Sequence, residues 1–192
     1  MPARPDILDY LRTRRSVGMA FLKEPGPSAA ELEQILTVGT RVPDHGKLTP
    51  WRLVVIAGEA RAQVGEKLAE IAQRRHPEYN EASLDVERKR FLPAPVTIMV
   101  ISKAGHDPKV PEWEQFLSAG NVAFNLQHAA FAMGYAAVWN SRWYSMDSEA
   151  GAMLGARYGE RIVAFVSIGT PTAVIEDRPR PLLGDVVTYW QG

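Results

Sequence analysis

The segment from Glu112 to Met133 constrains the fold more than any other stretch of the chain. Helical spacing sets Trp113, Phe116, Leu117, Gly120, Phe124 and Phe131 along one side with small residues beside them. A helix apolar over so much of its circumference has to be covered by other protein. The chain must therefore either bury this helix in its own core or pack it against a second copy. With 192 residues, 46% apolar content, 15 glycines and 14 prolines, there is material for one globular domain, residues 1–192. No repeat, low-complexity run or composition shift marks a second one.

The remaining segments supply strands and further helices. The run Val96-Thr97-Ile98-Met99-Val100-Ile101, bounded by Pro93, Pro95 and Gly105, reads as a strand, and so do Leu53 to Ile56, Tyr135 to Trp139 and Ile162 to Ile168. Helices are expected over Asp6 to Thr13, from the capping-box pattern Ser28-Ala29-Ala30-Glu31 to about Gly39, and over Glu59 to Arg75, Asn80 to Phe91 and Met146 to Tyr158. Arg41 to Trp51 contains Pro43, Gly46 and Pro50 and reads as a loop. The tail from Pro171 to Pro181 is proline-rich and charged, whereas Val186-Val187-Thr188-Tyr189-Trp190 has strand propensity. An extended arm ending in a strand fits an intertwined dimer, and the whole order of elements is that of a layered α+β fold.

Composition removes several classes of function. Lys plus Arg and Asp plus Glu both number 22, so no global field points to nucleic acid or an anionic membrane, and any anion site has to be local. The absence of cysteine removes disulfides, thiolate nucleophiles, iron–sulfur ligation and Cys-based zinc sites. Asn121, Asn125 and His128 recur at helical spacing, but one histidine and two amides make a poor ligand set, and no metal is expected. The basic pairs at Arg74-Arg75 and Arg88-Lys89-Arg90 are diluted by Glu78, Glu81, Asp85 and Glu87, as on a solvated helical face.

The longest apolar stretches, Phe91 to Ile101 and Ala129 to Trp139, fall short of the roughly 18 residues of a membrane span. The charged first residues, broken by Pro2 and Pro5, lack the apolar core of a secretory signal, so a soluble, cytoplasmic protein is expected. There is no Gly-rich dinucleotide fingerprint, phosphate-binding P-loop, paired-histidine zinc motif or nucleophile-elbow serine. Redox chemistry in such a chain needs a borrowed cofactor.

Two short basic segments are candidates for holding an anion. In an extended backbone Arg14 and Ser16 lie on one side and Arg15 on the other, so a guanidinium fork and a hydroxyl can share one phosphate. The same arginines also suit a solvated helix C-terminus. Arg41-Val42-Pro43-Asp44-His45-Gly46-Lys47 gathers Arg41, His45 and Lys47 in one loop, where an electron-rich ring could be stabilised, although a solvated charged loop has the same composition.

Taken in order, Arg14-Arg15-Ser16, the Pro43-Asp44-His45 loop followed by Pro50-Trp51 and a strand, and the late Trp139 after Gly134-Tyr135 resemble the nitroreductase family. Val110-Pro111-Glu112-Trp113-Glu114-Gln115, followed by Ser118-Ala119-Gly120, is similar to a signature of its small bacterial NAD(P)H-dependent members. The resemblance implies a three-layer α/β/α sandwich with a mixed, mainly antiparallel sheet and a C-terminal arm exchanged in a homodimer. It also implies FMN as cofactor, NADH or NADPH as electron donor, and ping-pong reduction of a nitroaromatic, quinone or related small-molecule acceptor. The chemistry then belongs to FMN, and no side chain need be catalytic.

Carried over residue by residue, the resemblance assigns Arg14, Arg15, Ser16, Arg41, His45, Trp139, Asn140 and Ser141 to the flavin, and Lys47 joins them from the same basic loop. Arg180, in preference to Arg178, completes the phosphate site, and Ala129, Ala130, Phe131, Ala132, Met133 and Gly134 lie where the nicotinamide contact falls. Two departures bear on ring electrostatics: Thr49 stands where the family commonly has glutamine, and Asn140 where relatives can carry arginine. Flavin cleavage or reductive dehalogenation within the same superfamily, and a non-enzymatic FMN carrier or sensor, are the alternative readings.

Overall fold

A computed structural model describes residues 2–192 of the chain, which form two compact units: Ser16–Ala173, and a terminal unit of the described residues up to Arg15 with Val174–Gly192. The central unit is built on one sheet. Strand β1 (Leu22–Lys23), β2 (Trp51–Ala57), β3 (Val96–Ser102), β4 (Ala136–Asn140) and β5 (Arg161–Pro171) join through β5, which bonds to β1, β3 and β4, while β3 also bonds to β2. Every one of these pairings is antiparallel, so the expected mainly antiparallel sheet is antiparallel throughout.

The side-chain alternation of β3 separates two cores. Val96, Ile98 and Val100 face one way with Ala164, Val166 and Ile168 of β5, against α2 (Ala29–Gly39) and α5 (Glu112–Ala132). Met99 and Ile101 face the other way with Phe165, against α3 (Ala60–Arg75) and α6 (Ser148–Met153). The fully buried Thr97 and Ser167 are register partners and share a hydrogen bond of 3.0 Å, so neither hydroxyl is left unsatisfied in the sheet. The helix/sheet/helix layering expected of the chain is the observed one. The helix α4 (Glu81–Arg88) packs on α3 outside the second core.

Local chemistry explains most of the helix boundaries. At α2 both halves of the capping box form: the Ser28 amide donates to Glu31 Oε2 at 2.8 Å and the Glu31 amide to Ser28 Oγ at 3.4 Å. Helix α6 is much shorter than the expected Met146 to Tyr158. The Asp147 carboxylate starts it by accepting from the Ala150 amide, and Gly155 (φ 99°) and Gly159 (φ 81°) turn the chain out of helical geometry beyond it. The β1 strand has no counterpart in the sequence reading. Two residues carry no period-2 pattern, and the strand exists only because Leu22 and Lys23 pair with Pro171 and Thr170.

Arg52 of β2 ties that strand to the start of β5, donating to Glu160 through Nε at 2.8 Å and Nη2 at 2.5 Å and to the Gly155 carbonyl oxygen. The Arg52 guanidinium is the main reason that the largely buried Glu160 carboxyl is held down to about 2.

The terminal unit contains α1 (Pro5–Thr13) and α7 (Leu183–Val186). The expected strand over Val186 to Trp190 is replaced here by the one-turn α7 and irregular backbone after it. A strand is made by its neighbour's hydrogen bonds, and among the described residues that segment pairs with none. The apolar side chains Tyr189 and Trp190 are 82% and 91% exposed. An exchanged arm would have to find its neighbouring strand in a second copy.

Candidate functional site

The loop between α2 and β2 carries three of the expected residues, and α5 holds it in place. Asn125 donates through Nδ2 to the carbonyl oxygens of Val38, at 2.6 Å, and Arg41, at 3.2 Å. Nearer the start of the helix Ser118 Oγ donates to the Pro43 carbonyl oxygen, and Glu114 Oε2 lies 2.8 Å from His45 Nδ1. Gln115 closes the next loop by donating to the carbonyl oxygens of Gly105 and Val110 and accepting from the Gly105 amide. The Glu114-Gln115 and Ser118 positions of the sequence signature thus act alike, fastening the loops at the N-terminal end of α5.

Within this loop the backbone is strained. Gly46, Lys47 and Thr49 all have positive φ, at 73°, 54° and 48°, and for a β-branched threonine that conformation is costly. The Asp44 carboxylate compensates: Oδ1 accepts from the Leu48 amide at 3.1 Å and Oδ2 from the Thr49 amide at 2.9 Å. Arg41, His45 and Lys47 are left exposed on a conformation that their own sequence would not adopt alone. Asp44→Ala frees two amides and is expected to lower stability by about 1–2 kcal/mol. Urea unfolding of the two proteins side by side measures this, and an unchanged midpoint would show that the loop does not depend on Asp44.

Strand β4 presents the next group. The Trp139 side chain approaches Gly120 of α5, where a Cβ would stand 3.8 Å from the indole ring. Asn140 pairs with Phe165 at the end of the strand, and its Nδ2 is buried without a hydrogen-bond acceptor among the described residues. Ser141 follows, exposed. The extended stretch after Arg15 runs alongside this strand, since the Val17 amide donates to the Ala137 carbonyl oxygen at 3.1 Å, which places Ser16 next to a residue docked on β4.

The six residues from Ala129 to Gly134 form the last turn of α5 and its exit. Ala129 and Ala130 are buried in the first core, whereas Ala132 and Gly134 are not. Gly134 has φ 85°, and the Tyr135 amide returns to the Ala130 carbonyl oxygen at 3.0 Å, a helix termination of the Schellman kind.

The terminal unit holds the other expected residues. Arg14 leaves α1 with φ −58° and ψ 138°, out of helical geometry. Arg15 Nε donates to the Glu176 carbonyl oxygen at 3.1 Å and lies 3.7 Å from Asp177 Oδ1. Arg180 Nη2 donates to the same Asp177 Oδ1 at 2.6 Å. The structure thus gathers Arg15 with Arg180 in one unit, and Trp139, Asn140 and the Ser16 segment in the other. Asn125, Glu114, Ser118 and Asp44 were absent from the expected site, and no local pattern singles out their supporting role.

A cavity of about 660 Å³ in the central unit is lined by Phe116, Met146, Arg157, Tyr158, Arg161 and Ile162 among others, and contains none of the expected residues. No group of three or more His, Cys, Asp or Glu side chains among the described residues could hold a metal ion. No described helix is long and apolar enough to cross a membrane.

Residues 11–170 match the model of the Nitroreductase family. The Escherichia coli (strain K12) protein named "Putative NAD(P)H nitroreductase YdjA" is 35% identical over 190 residues, covering 96% of this chain and 100% of that protein. Among solved structures, a nitroreductase-like family protein from Bacillus cereus superposes with a TM-score of 0.82 at 22% identity over the whole of both chains. The FMN and NADPH-dependent nitroreductase NfnB from Sphigopyxis sp. strain HMH superposes with a TM-score of 0.72 at 19% identity, over 96% of this chain and 98% of that one.

Proposed function

The chain belongs to the nitroreductase family, and from that premise we propose that it is an FMN-dependent NAD(P)H oxidoreductase that reduces nitroaromatic, quinone or related small acceptors as a homodimer. One observation carries the flavin reading above all others. Asn140 Nδ2 is a buried donor without an acceptor among the described residues, at the end of the strand to which the family resemblance assigns the ring. A buried unpaired amide costs free energy unless a ligand supplies the acceptor, and the polar edge of an isoalloxazine is rich in acceptors.

The chemistry of the residues that the family resemblance assigns to the phosphate suits that group: Arg14, Arg15 and Arg180 carry guanidinium groups and Ser16 a hydroxyl, the donor types a phosphate dianion takes. Arg41 and Lys47 supply positive charge for the ring, and His45 an imidazole, on the loop that Asp44 fixes, and the Trp139 to Ser141 backbone offers amides at the strand end. Ala132, Met133 and Gly134 are the parts of the proposed nicotinamide contact that a ligand can reach, because Ala129 and Ala130 are committed to the core. FMN, when bound, supplies the hydride chemistry, accepting from NADH or NADPH and delivering to the acceptor.

The homodimer is supported by an exposed apolar face of α5, on which Trp113, Leu117 and Phe124 are 63%, 57% and 44% exposed. The Glu112 to Met133 helix thus packs Ala119, Val122, Ala123 and Leu126 into the core and offers the opposite face to a partner copy.

The test is an anaerobic titration. Purified protein incubated with FMN is expected to be yellow and to bleach with NADH, NADPH or both, then to recover its colour on addition of a nitroaromatic or quinone, with parallel lines in double-reciprocal plots. Protein that stays colourless after incubation with FMN would falsify the reading. Yellow protein that neither nicotinamide bleaches would make it a flavin carrier.

A further inference from the structure

In the terminal unit, one carboxylate stands between two arginines brought from opposite ends of the chain. Asp177 Oδ1 accepts from Arg180 Nη2 at 2.6 Å and from the Arg178 amide at 2.8 Å, and faces Arg15 Nε at 3.7 Å. Its carboxyl is held below the usual range, first by the Arg180 hydrogen bond and then by the Arg178 amide, so it is an anion at neutral pH. Arg15 grips the same stretch a second time, donating from Nε to the Glu176 carbonyl oxygen at 3.1 Å. The Arg15 side chain is only 22% exposed, whereas that of Arg180 is 43% exposed.

The two guanidinium groups are therefore placed differently. Arg15 is the more buried and is held at its Nε edge by the backbone of the C-terminal segment. Arg180 is the more open, and apart from the Nη2 bond to Asp177 its nitrogens make no hydrogen bond among the described residues. We propose that Asp177 and Arg15 are positioning residues for the cofactor phosphate: Arg15 anchors residues 176–177, and Asp177 passes that anchorage on by orienting the guanidinium of Arg180. This rests on the reading that Arg180 binds the FMN phosphate. An arginine left free at the end of a mobile stem loses its rotamer freedom on binding, and one already oriented by a carboxylate has lost most of it beforehand.

Simple charge counting predicts the opposite of this proposal, which makes it testable by sign. Asp177 is a negative charge beside a site for a dianion, so neutralising it should tighten binding if only the field mattered. Positioning predicts that Asp177→Asn weakens FMN binding by about fivefold, the size expected when one long side chain must be ordered at binding. Riboflavin, which lacks the phosphate, should bind both proteins equally.

The experiment is a fluorescence titration of the flavin-free full chain with FMN and with riboflavin. It compares wild type, Asp177→Asn, Asp177→Glu, Arg180→Ala, and Asp177→Asn combined with Arg180→Ala. The expected result is an FMN-specific loss in Asp177→Asn, partly restored in Asp177→Glu and absent when Arg180 is already gone. Equal or tighter FMN binding by Asp177→Asn overturns the proposal, as does a matching loss for riboflavin, which would indicate general loosening of the segment. Wild-type protein that binds riboflavin as tightly as FMN removes the phosphate role of Arg180, and the positioning role with it. Wild-type protein that binds neither flavin overturns the flavin reading itself, a result distinct from all the others.

Discussion

Arg14→Ala is expected to weaken FMN binding by about 50-fold, and Arg15→Ala by about tenfold or less. Charge-assisted hydrogen bonds to a phosphate contribute about 1.5–3 kcal/mol each, and an arginine that loses its bidentate contact sits in the upper part of that range. Arg14 leaves the first helix at φ −58° and ψ 138°, and in a segment that continues extended, side-chain alternation groups it with Ser16 rather than with Arg15. Arg15 already spends its Nε on the Glu176 carbonyl oxygen, so its removal reaches the phosphate only through Asp177 and Arg180. Fluorescence titration of the flavin-free variants measures both numbers under one set of conditions. Equal losses would mean that both guanidinium groups touch the phosphate directly, and that the division of labour between them is wrong. The salt dependence offers an independent check, because a direct phosphate contact is screened more strongly than an orienting one.

How much of this site could be read from sequence differs from residue to residue. Strand β3 and helices α2 and α5 were legible because their signals are local: an unbroken apolar run, a capping box and a sustained 3.6-residue period. The basic loop was legible as a loop, since Pro43, Gly46 and Pro50 exclude regular structure, but its conformation was not. Positive φ at Lys47 and Thr49 contradicts the preference of both residues, and is imposed by the Asp44 carboxylate and by contacts from α5. Those contacts join residues far apart in sequence: His45 to Glu114 and Pro43 to Ser118. The spacing of the Val110 to Gly120 signature marked the family, yet nothing in the signature reveals that its polar members are fasteners for another loop. Asn125 shows the same limit. Its helical spacing with Asn121 and His128 was legible, and only the fold shows that it caps the carbonyls where α2 ends. The shortness of α6 and the existence of β1 follow likewise from neighbours in space: Asp147 and two left-handed glycines in one case, the end of β5 in the other.

The largest effect on the fold itself is expected at a helical glycine. Gly65→Ala should lower stability by about 2–3 kcal/mol, although the same change in most helix interiors is stabilising by about 1 kcal/mol. Gly65 is buried in the middle of α3 where α4 comes down on it, and a Cβ there would run into the Arg88 carbonyl group, 2.8 Å from its carbon and 3.1 Å from its Cα. A side-chain obstacle could rotate away, but this one is backbone, so relief requires α4 to move bodily. That movement is resisted from two directions. Arg88 Nε donates back to Glu66 on α3 at 3.2 Å, and Arg61 of α3 holds the chain beyond α4 by donating to the carbonyl oxygens of Leu92 and Ala94, each at 3.2 Å. The helical propensity gained by alanine is therefore outweighed by overpacking against a carbonyl that has nowhere to go. For a domain of this size the loss corresponds to a fall in melting temperature of roughly 4–12 °C. Thermal unfolding of the flavin-free protein followed by circular dichroism reads it directly and does not depend on the cofactor. Gly184→Ala, at a helical glycine with no atom within 4 Å of the added carbon, is the matched control and should change little. A Gly65→Ala protein that melts at or above the wild-type temperature would show that α3 and α4 do not approach as closely as the structure places them.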